Sequence, residues 1–280
     1  MTEAGAFGDY LLIMAFEIKQ SPSFEFDRPL NLVGKLVIVD GLIGGGKNLL
    51  SSIISSLPSV EHWIHKPQIE QICGLYHFNH MSLNAFRTLV NTWLTEEVIN
   101  LSISRNTNFK PADHSSIFKS DMTLKYLKRL FKSPKQALES IKSETPILNL
   151  MTHVNTSYAK PLFETLDSRL VYVRVTRHPM TTYMIRHNAK WTDRWGIDER
   201  HGHLLYKVKN HNGESSLLPH YAKNIENKYL KSNSTERAIY LFDEWIRKED
   251  QFIDHISKCT NAKIIEVPYE KFVFNPLFYI

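Results

Sequence analysis

Apolar residues follow two rhythms along this chain. Leu36–Val39, Ile147–Met151, Leu170–Val175 and Lys263–Val267 are short runs dense in Val, Ile and Leu, the pattern of strands buried on both faces. Between them the apolar positions change to helical spacing. Leu49, Leu50, Ile53, Ile54 and Leu57 form one face that ends at Pro58, and Leu83, Phe86, Val90, Leu94, Val98 and Leu101 mark a longer amphipathic helix over 83–103. The same reading predicts helices over 157–166, 179–187, 221–230 and 236–259, and a short strand over 60–64. Strands separated by helical segments long enough for crossovers imply an α/β fold: three layers, α/β/α, around a mostly parallel central sheet.

The remaining stretches fit around that frame. Residues 1–33 read as an irregular N-terminal arm, Pro67 as a turn, 105–116 as a polar turn, and 191–216 as an excursion above the sheet. The segment 123–131 is a helix carrying Lys125, Lys128 and Arg129, and Leu124, Leu127, Leu130 and Phe131 are expected to be its packing face. No aromatic residues are interleaved there as stacking platforms, so no nucleic-acid partner is expected. The motifs described below run from residue 36 to residue 276, which points to a single domain over 1–280 with an inserted helical region at 83–132.

Composition narrows the picture modestly. The chain has 280 residues, 42% of them hydrophobic, enough for a full core. Its net charge of +5 suits an anionic ligand without choosing one. The two cysteines, Cys73 and Cys259, lack metal-ligand spacing, so plain thiols and no metal site are expected. The early apolar run Leu11–Phe16 is too short for a membrane span or a signal core, giving the expectation of a cytoplasmic protein without a transmembrane segment.

The candidate chemistry begins where the first strand ends. Gly41–Lys47 reads G-L-I-G-G-G-K, followed by the first helix. Gly44, Gly45 and Gly46 leave the backbone N–H groups unshielded, so the loop can curl around a phosphate at the positive end of that helix, with Lys47 adding a cation. Asn48 stands where a phosphate loop of the Walker type has the Ser or Thr that holds Mg²⁺. The later strands run into Thr152-His153 and Thr176-Arg177. In a parallel sheet these ends share one edge with the glycine loop, the edge where open α/β sheets bind ligands. There His153 can act as a base, and Arg177 can grip phosphate oxygens as a fork.

Four of these segments, in order, resemble the sulfotransferase family. Arg177-His178-Pro179 is similar to its R-[DNH]-P element, Leu150–His153 to the L-K-T-H segment of the cytosolic branch, and Gly41–Leu50 to the loop G-x-x-[KR]-S-G-T-T-x-L. Ile265–Pro276 is similar to the signature v-x-Y-E-D-L-v-x-D-P. The resemblance implies a donor, 3′-phosphoadenosine 5′-phosphosulfate (PAPS), whose sulfuryl group passes to a hydroxyl or amine of a small-molecule or carbohydrate acceptor without a metal. It implies His153 as the catalytic base, Lys47 and the loop residues 44–48 at the phosphosulfate, and Arg177 at the 3′-phosphate. The family's loop cation is replaced by Gly44, and the Ser expected after the Arg falls on Ile185, leaving Thr181 or Thr182 to substitute. Tyr269 and Glu270 are expected to be structural, with Glu270 pairing a cation near Arg174 or Arg177. Two other readings share the fold: a P-loop kinase for nucleosides or small molecules that uses ATP, and a catalytically inactive nucleotide-binding paralogue.

Overall fold

The computed structural model describes residues 25–28, 32–195, 197–198, 204–209 and 215–279; most of the expected N-terminal arm lies outside them. In chain order the elements are β1 (Lys35–Gly41), α1 (Lys47–Ser55), β2 (Ile64–His65), α2 (Pro67–His77), α3 (Leu83–Ser102), α4 (Thr123–Arg129) and α5 (Pro134–Glu144). Then come β3 (Ile147–Met151), α6 (Lys160–Leu166), β4 (Leu170–Thr176), α7 (Thr182–Thr192), β5 (Leu205–Lys209) and β6 (Ser215–Pro219). The chain closes with α8 (Glu226–Lys231), α9 (Ser234–Ile256), β7 (Lys263–Pro268) and α10 (Tyr269–Phe274).

Five strands form one sheet in the order β2-β3-β1-β4-β7, and every pair in it is parallel. Strands β5 and β6 form a separate antiparallel pair. Alternation along β1 sends its side chains to two cores. Leu36 and Ile38 join Leu148, Leu150, Leu170 and Tyr172 under α2, α3, α6 and α9, whereas Val37 and Val39 join Val173, Val175 and Val267 under α1 and α10. The sheet is therefore flanked by helices on both faces, as the continuous apolar runs require. Among the described residues no helix is long and apolar enough to cross a membrane.

Several local expectations need correction. Pro67 is not a turn: it opens α2 in its first turn, where a missing N–H is harmless, and Pro134 opens α5 in the same way, with Ser133 and Gln136 completing a capping box. Helices α2–α5 all lie between β2 and β3, with turns and one short 3₁₀ helix (Ile117–Lys119) joining α3 to α4. The second strand is only Ile64–His65, preceded by an isolated bridge at Val60. Between them Glu61 is buried. There its carboxylate takes a two-pronged hydrogen bond from Arg129 (2.6 and 2.9 Å) and another from the Tyr126 hydroxyl. That pairing overrides the expected face of α4: Tyr126 and Arg129 are buried, while Leu124, Leu130 and Phe131 face outward. The excursion over 191–216 contains the end of α7, the β5–β6 pair and residues outside those described.

Candidate functional site

Because the sheet is all parallel, the C-terminal ends of β1, β2, β3, β4 and β7 share one edge. The glycine loop leaves β1 there with Gly41 at φ 147° and Gly46 at φ 103°. Both positions are sterically committed to glycine. A Cβ on Gly41 would sit 2.2 Å from the Val175 carbonyl oxygen, and one on Gly46 would sit 2.2 Å from the Tyr269 ring. Helix α1 starts at Gly46 with no side chain capping it, so its first amides point to the loop unclaimed by the helix. Gly44 and Gly45 lie within this turn, Gly45 donating its N–H to Leu42 O, and Asn48 is exposed at the helix start. Lys47 is buried, with Nζ donating to Gly41 O (2.8 Å) and Leu42 O (2.7 Å). Burial lowers its pKa to about 8 despite the opposing pull of Asp40, Glu70 and Glu249.

Strand β3 is tied to this loop by backbone. Thr152 N–H donates to Val39 O, and Val154 N–H donates to Gly41 O, the carbonyl that also receives Lys47. Val154 accepts φ 51°, a strained value for a β-branched residue, and so turns the chain sharply just after His153. Asp40, fully buried below the loop, accepts from Thr152 Oγ1, Asn155 N–H, Thr156 Oγ1 and the Tyr172 hydroxyl. Glu249, also buried, keeps Oε1 without a hydrogen-bond partner among the described residues; burial and the Asp40 charge raise it to about 8 although Arg174 lies 3.2 Å away.

His153 does not stand alone. Its Nδ1 lies 3.0 Å from His65 Nε2 and 3.4 Å from Glu70 Oε1, and His65 Nε2 lies 3.1 Å from the same oxygen. Its backbone N–H also donates to Glu70 Oε1 at 2.8 Å. Partial burial and then the Lys47 charge push the His153 ring down to about 4, against Glu70, so the imidazole is neutral at pH 7. Burial raises the Glu70 carboxyl, but the two imidazoles outweigh it and hold the group at about 2. Among the described residues this is a group able to hold a metal ion. The sequence offered no motif for it, because His65 and Glu70 reach His153 only through the β2–β3 pairing, in which His65 is opposite Met151.

Arg177 meets the loop from the other side. Its Nη1 donates to Gly44 O at 2.8 Å, and its guanidinium stacks on Tyr269 (4.4 Å) and Tyr183 (5.0 Å). Its Nε is buried with no hydrogen-bond partner among the described residues. Thr181 caps α7 by accepting from Met184 N–H, and the Thr182 side chain lies outside the described residues. Glu270 accepts from the His178 backbone N–H (3.1 Å) and thereby holds the Arg177 turn to the first turn of α10. It does not pair with Arg174, which is occupied by Glu249, Asp250 and Glu266. Lys47, His153 and Arg177 are thus gathered at one edge, as the strand order demands.

One turn of α2 beyond Glu70, where a Cβ on Gly74 would lie 2.8 Å from the Leu204 side chain, a cleft of about 540 Å³ opens between α2 and the β5–β6 pair. Its walls include Leu75, Phe78, Tyr206 and His220, with Lys223 at the rim. No protein-family model matches this sequence, and a search among curated proteins finds no relative.

Proposed function

We propose that this protein transfers a sulfuryl group from PAPS to a hydroxyl or amine. The observation that carries the proposal is the charge inventory of the loop edge. Two cations, Lys47 and Arg177, and a neutral imidazole converge there, while Asp40 is engaged by four donors, Glu70 by two imidazoles and Glu249, through one oxygen, by Arg174. With Asn48 in place of a hydroxyl, the edge is better suited to a doubly phosphorylated, metal-free donor than to the ATP–Mg²⁺ of a kinase.

In this reading the α1 amides and Lys47 hold the 5′-phosphosulfate and neutralise the bridging oxygen as it leaves. Arg177, through its unpartnered Nε and with Thr181, takes the 3′-phosphate. His153 accepts the proton of the attacking group at Nε2, its Nδ1 being turned toward Glu70 and His65. The new bond joins sulfur to the acceptor, the bond from sulfur to the bridging oxygen breaks, and 3′-phosphoadenosine 5′-phosphate (PAP) departs with the electron pair. The cleft along α2 receives the acceptor, and its aromatic walls favour a ring-bearing alcohol or a sugar.

The test pairs calorimetric titration of PAP with single-turnover transfer from saturating PAPS. Arg177→Ala should weaken PAP binding, and Lys47→Ala should weaken binding and depress transfer further. His153→Ala should keep PAP affinity and lower transfer by roughly 10² or more. Thermal protection by ATP with Mg²⁺ but not by PAP would replace this reading with the kinase, and PAP binding with no transfer to a broad acceptor panel would leave an inactive paralogue.

A further inference from the structure

The contacts among His65, Glu70 and His153 cannot all be hydrogen bonds at once. Three atoms, two ring nitrogens and one carboxylate oxygen, lie 3.0, 3.1 and 3.4 Å apart in a triangle. Neutral imidazoles bring at most one proton to each of these nitrogens. If both nitrogens carry a proton and donate to Glu70, two N–H groups face each other across 3.0 Å. If only one does, some edge of the triangle sets lone pair against lone pair. A cation at the centre satisfies all three atoms together.

The dimensions suit that role. A four-coordinate ion with bonds of about 2.0–2.2 Å keeps its ligand atoms roughly 3.3 Å apart, close to the edges found here. The ligands arrive from three elements, the end of β2, the first turn of α2 and the exit of β3, so the triangle is set by the sheet rather than by one flexible loop. The His153 backbone N–H donates to the Glu70 oxygen that faces the centre and so fixes its direction. His65 and His153 keep 39% and 24% of their side chains exposed, which leaves an outer position open to solvent.

We propose that His65 Nε2, Glu70 Oε1 and His153 Nδ1 bind a divalent first-row transition ion, zinc foremost, with at least one coordination position left to water. Two nitrogens among three donors favour zinc, cobalt or nickel over magnesium or calcium, which take oxygen ligands. A metal on Nδ1 leaves the single proton of the His153 ring on Nε2. The metal-bound form therefore cannot take a proton there, and if the proposed transfer reaction holds, zinc inhibits it.

The experiment uses the full chain with Cys259→Ser, which removes the exposed thiol as a rival ligand, after stripping with a chelator. Cobalt(II) is titrated and followed by its visible absorption, and zinc is then added as competitor. The expected result is one cobalt per chain with ligand-field bands, displaced by zinc and unaffected by excess magnesium. His65→Ala and Glu70→Gln, each checked for folding by circular dichroism, should lower the affinity by at least about tenfold. Cobalt bound without such bands, or bound equally well by folded His65→Ala and Glu70→Gln chains, would overturn the site and leave a hydrogen-bond network only. Because this readout needs no PAPS, a chain that binds cobalt but transfers nothing keeps the metal site and loses the transfer reading; the converse result does the opposite.

Discussion

Gly46→Ala tests how the glycine loop is held open. The added Cβ meets two obstacles of different origin. One is local: φ is 103°, and a left-handed backbone costs an L-residue about 1–2 kcal/mol. The other is tertiary, because the Cβ would lie 2.2 and 2.4 Å from two carbons of the Tyr269 ring, an overpacking worth about 1–3 kcal/mol. Together they predict a loss of roughly 2–5 kcal/mol in urea denaturation. In a Tyr269→Ala background the ring is gone and only the backbone part remains, so Gly46→Ala should then cost about 1–2 kcal/mol. The coupling between the two sites is the difference, about 1–3 kcal/mol. Gly34→Ala is the control: its Cβ would meet nothing within 4 Å, and it should stay within about 0.5 kcal/mol of the parent. Displacing Tyr269 also removes the face on which Arg177 stacks, so anion affinity should fall with Gly46→Ala and not with Gly34→Ala. A coupling below about 0.5 kcal/mol would show that Tyr269 does not press on the loop and would refute the reasoning.

Glu61→Gln should cost about 3 kcal/mol at pH 7. Burial alone would raise the Glu61 carboxyl, but Arg129, Lys125 and Tyr126 outweigh it and bring it from 4.5 to about 2, which at 1.36 kcal/mol per tenfold corresponds to roughly 3 kcal/mol. That contribution is present above pH 4.5 and lost as pH falls toward 2, so denaturation curves of parent and variant should converge in acid; parallel curves would disprove it. Lys47, lowered to about 8 chiefly by burial, should bind PAP or pyrophosphate less well as pH rises from 7 to 9, since the folded chain loses that cation. Between pH 8 and 10.5 the unfolded chain holds the Lys47 proton that the folded chain has shed, so this group's contribution to stability rises with pH. Anion affinity that is flat across pH 8 would contradict the assignment. Burial pushes the Cys73 thiol up while Cys259 is exposed, so a maleimide should label one cysteine in the native protein and the second only after unfolding, as mass spectrometry would show.

The central strands could be read from the sequence because they are buried on both faces, which writes them as apolar runs: Leu36–Val39, unbroken, and Leu170–Val175, interrupted only by Arg174, needed no partner to be identified. The glycine loop was legible for a similar reason, since Gly41 and Gly46 occupy backbone conformations that the residue type itself announces. Helix α2 was hidden because Pro67 reads as a turn, although a proline that stops a helix in its interior can start one in its first turn. The face of α4 was misread because a carboxylate from a distant segment, Glu61, draws Arg129 inward at the expense of Leu130 and Phe131. His153 and Arg177 could be found at strand ends. Their partners could not, because Glu70, His65, Tyr183 and Tyr269 reach them through pairings and packing that no short spacing records.

The central strand has a consequence for how the chain comes to be folded. Strand β1 pairs with β3 and β4, so Lys35 waits for Ile147 and Leu36 for Leu170. Synthesis at roughly 5–20 residues per second leaves its four consecutive apolar residues, 36–39, without a strand neighbour for several seconds or more after they are made. Helices α2, α3 and α5 can form locally in that interval, but the strand that carries the glycine loop cannot be completed until β4 has been added. Contacts of such long sequence separation also make refolding slow once the finished chain has been unfolded. The nascent β1 segment is therefore exposed to wrong pairing while it waits, and a chaperone that shields a short aliphatic stretch would raise the yield of folded chain by acting there.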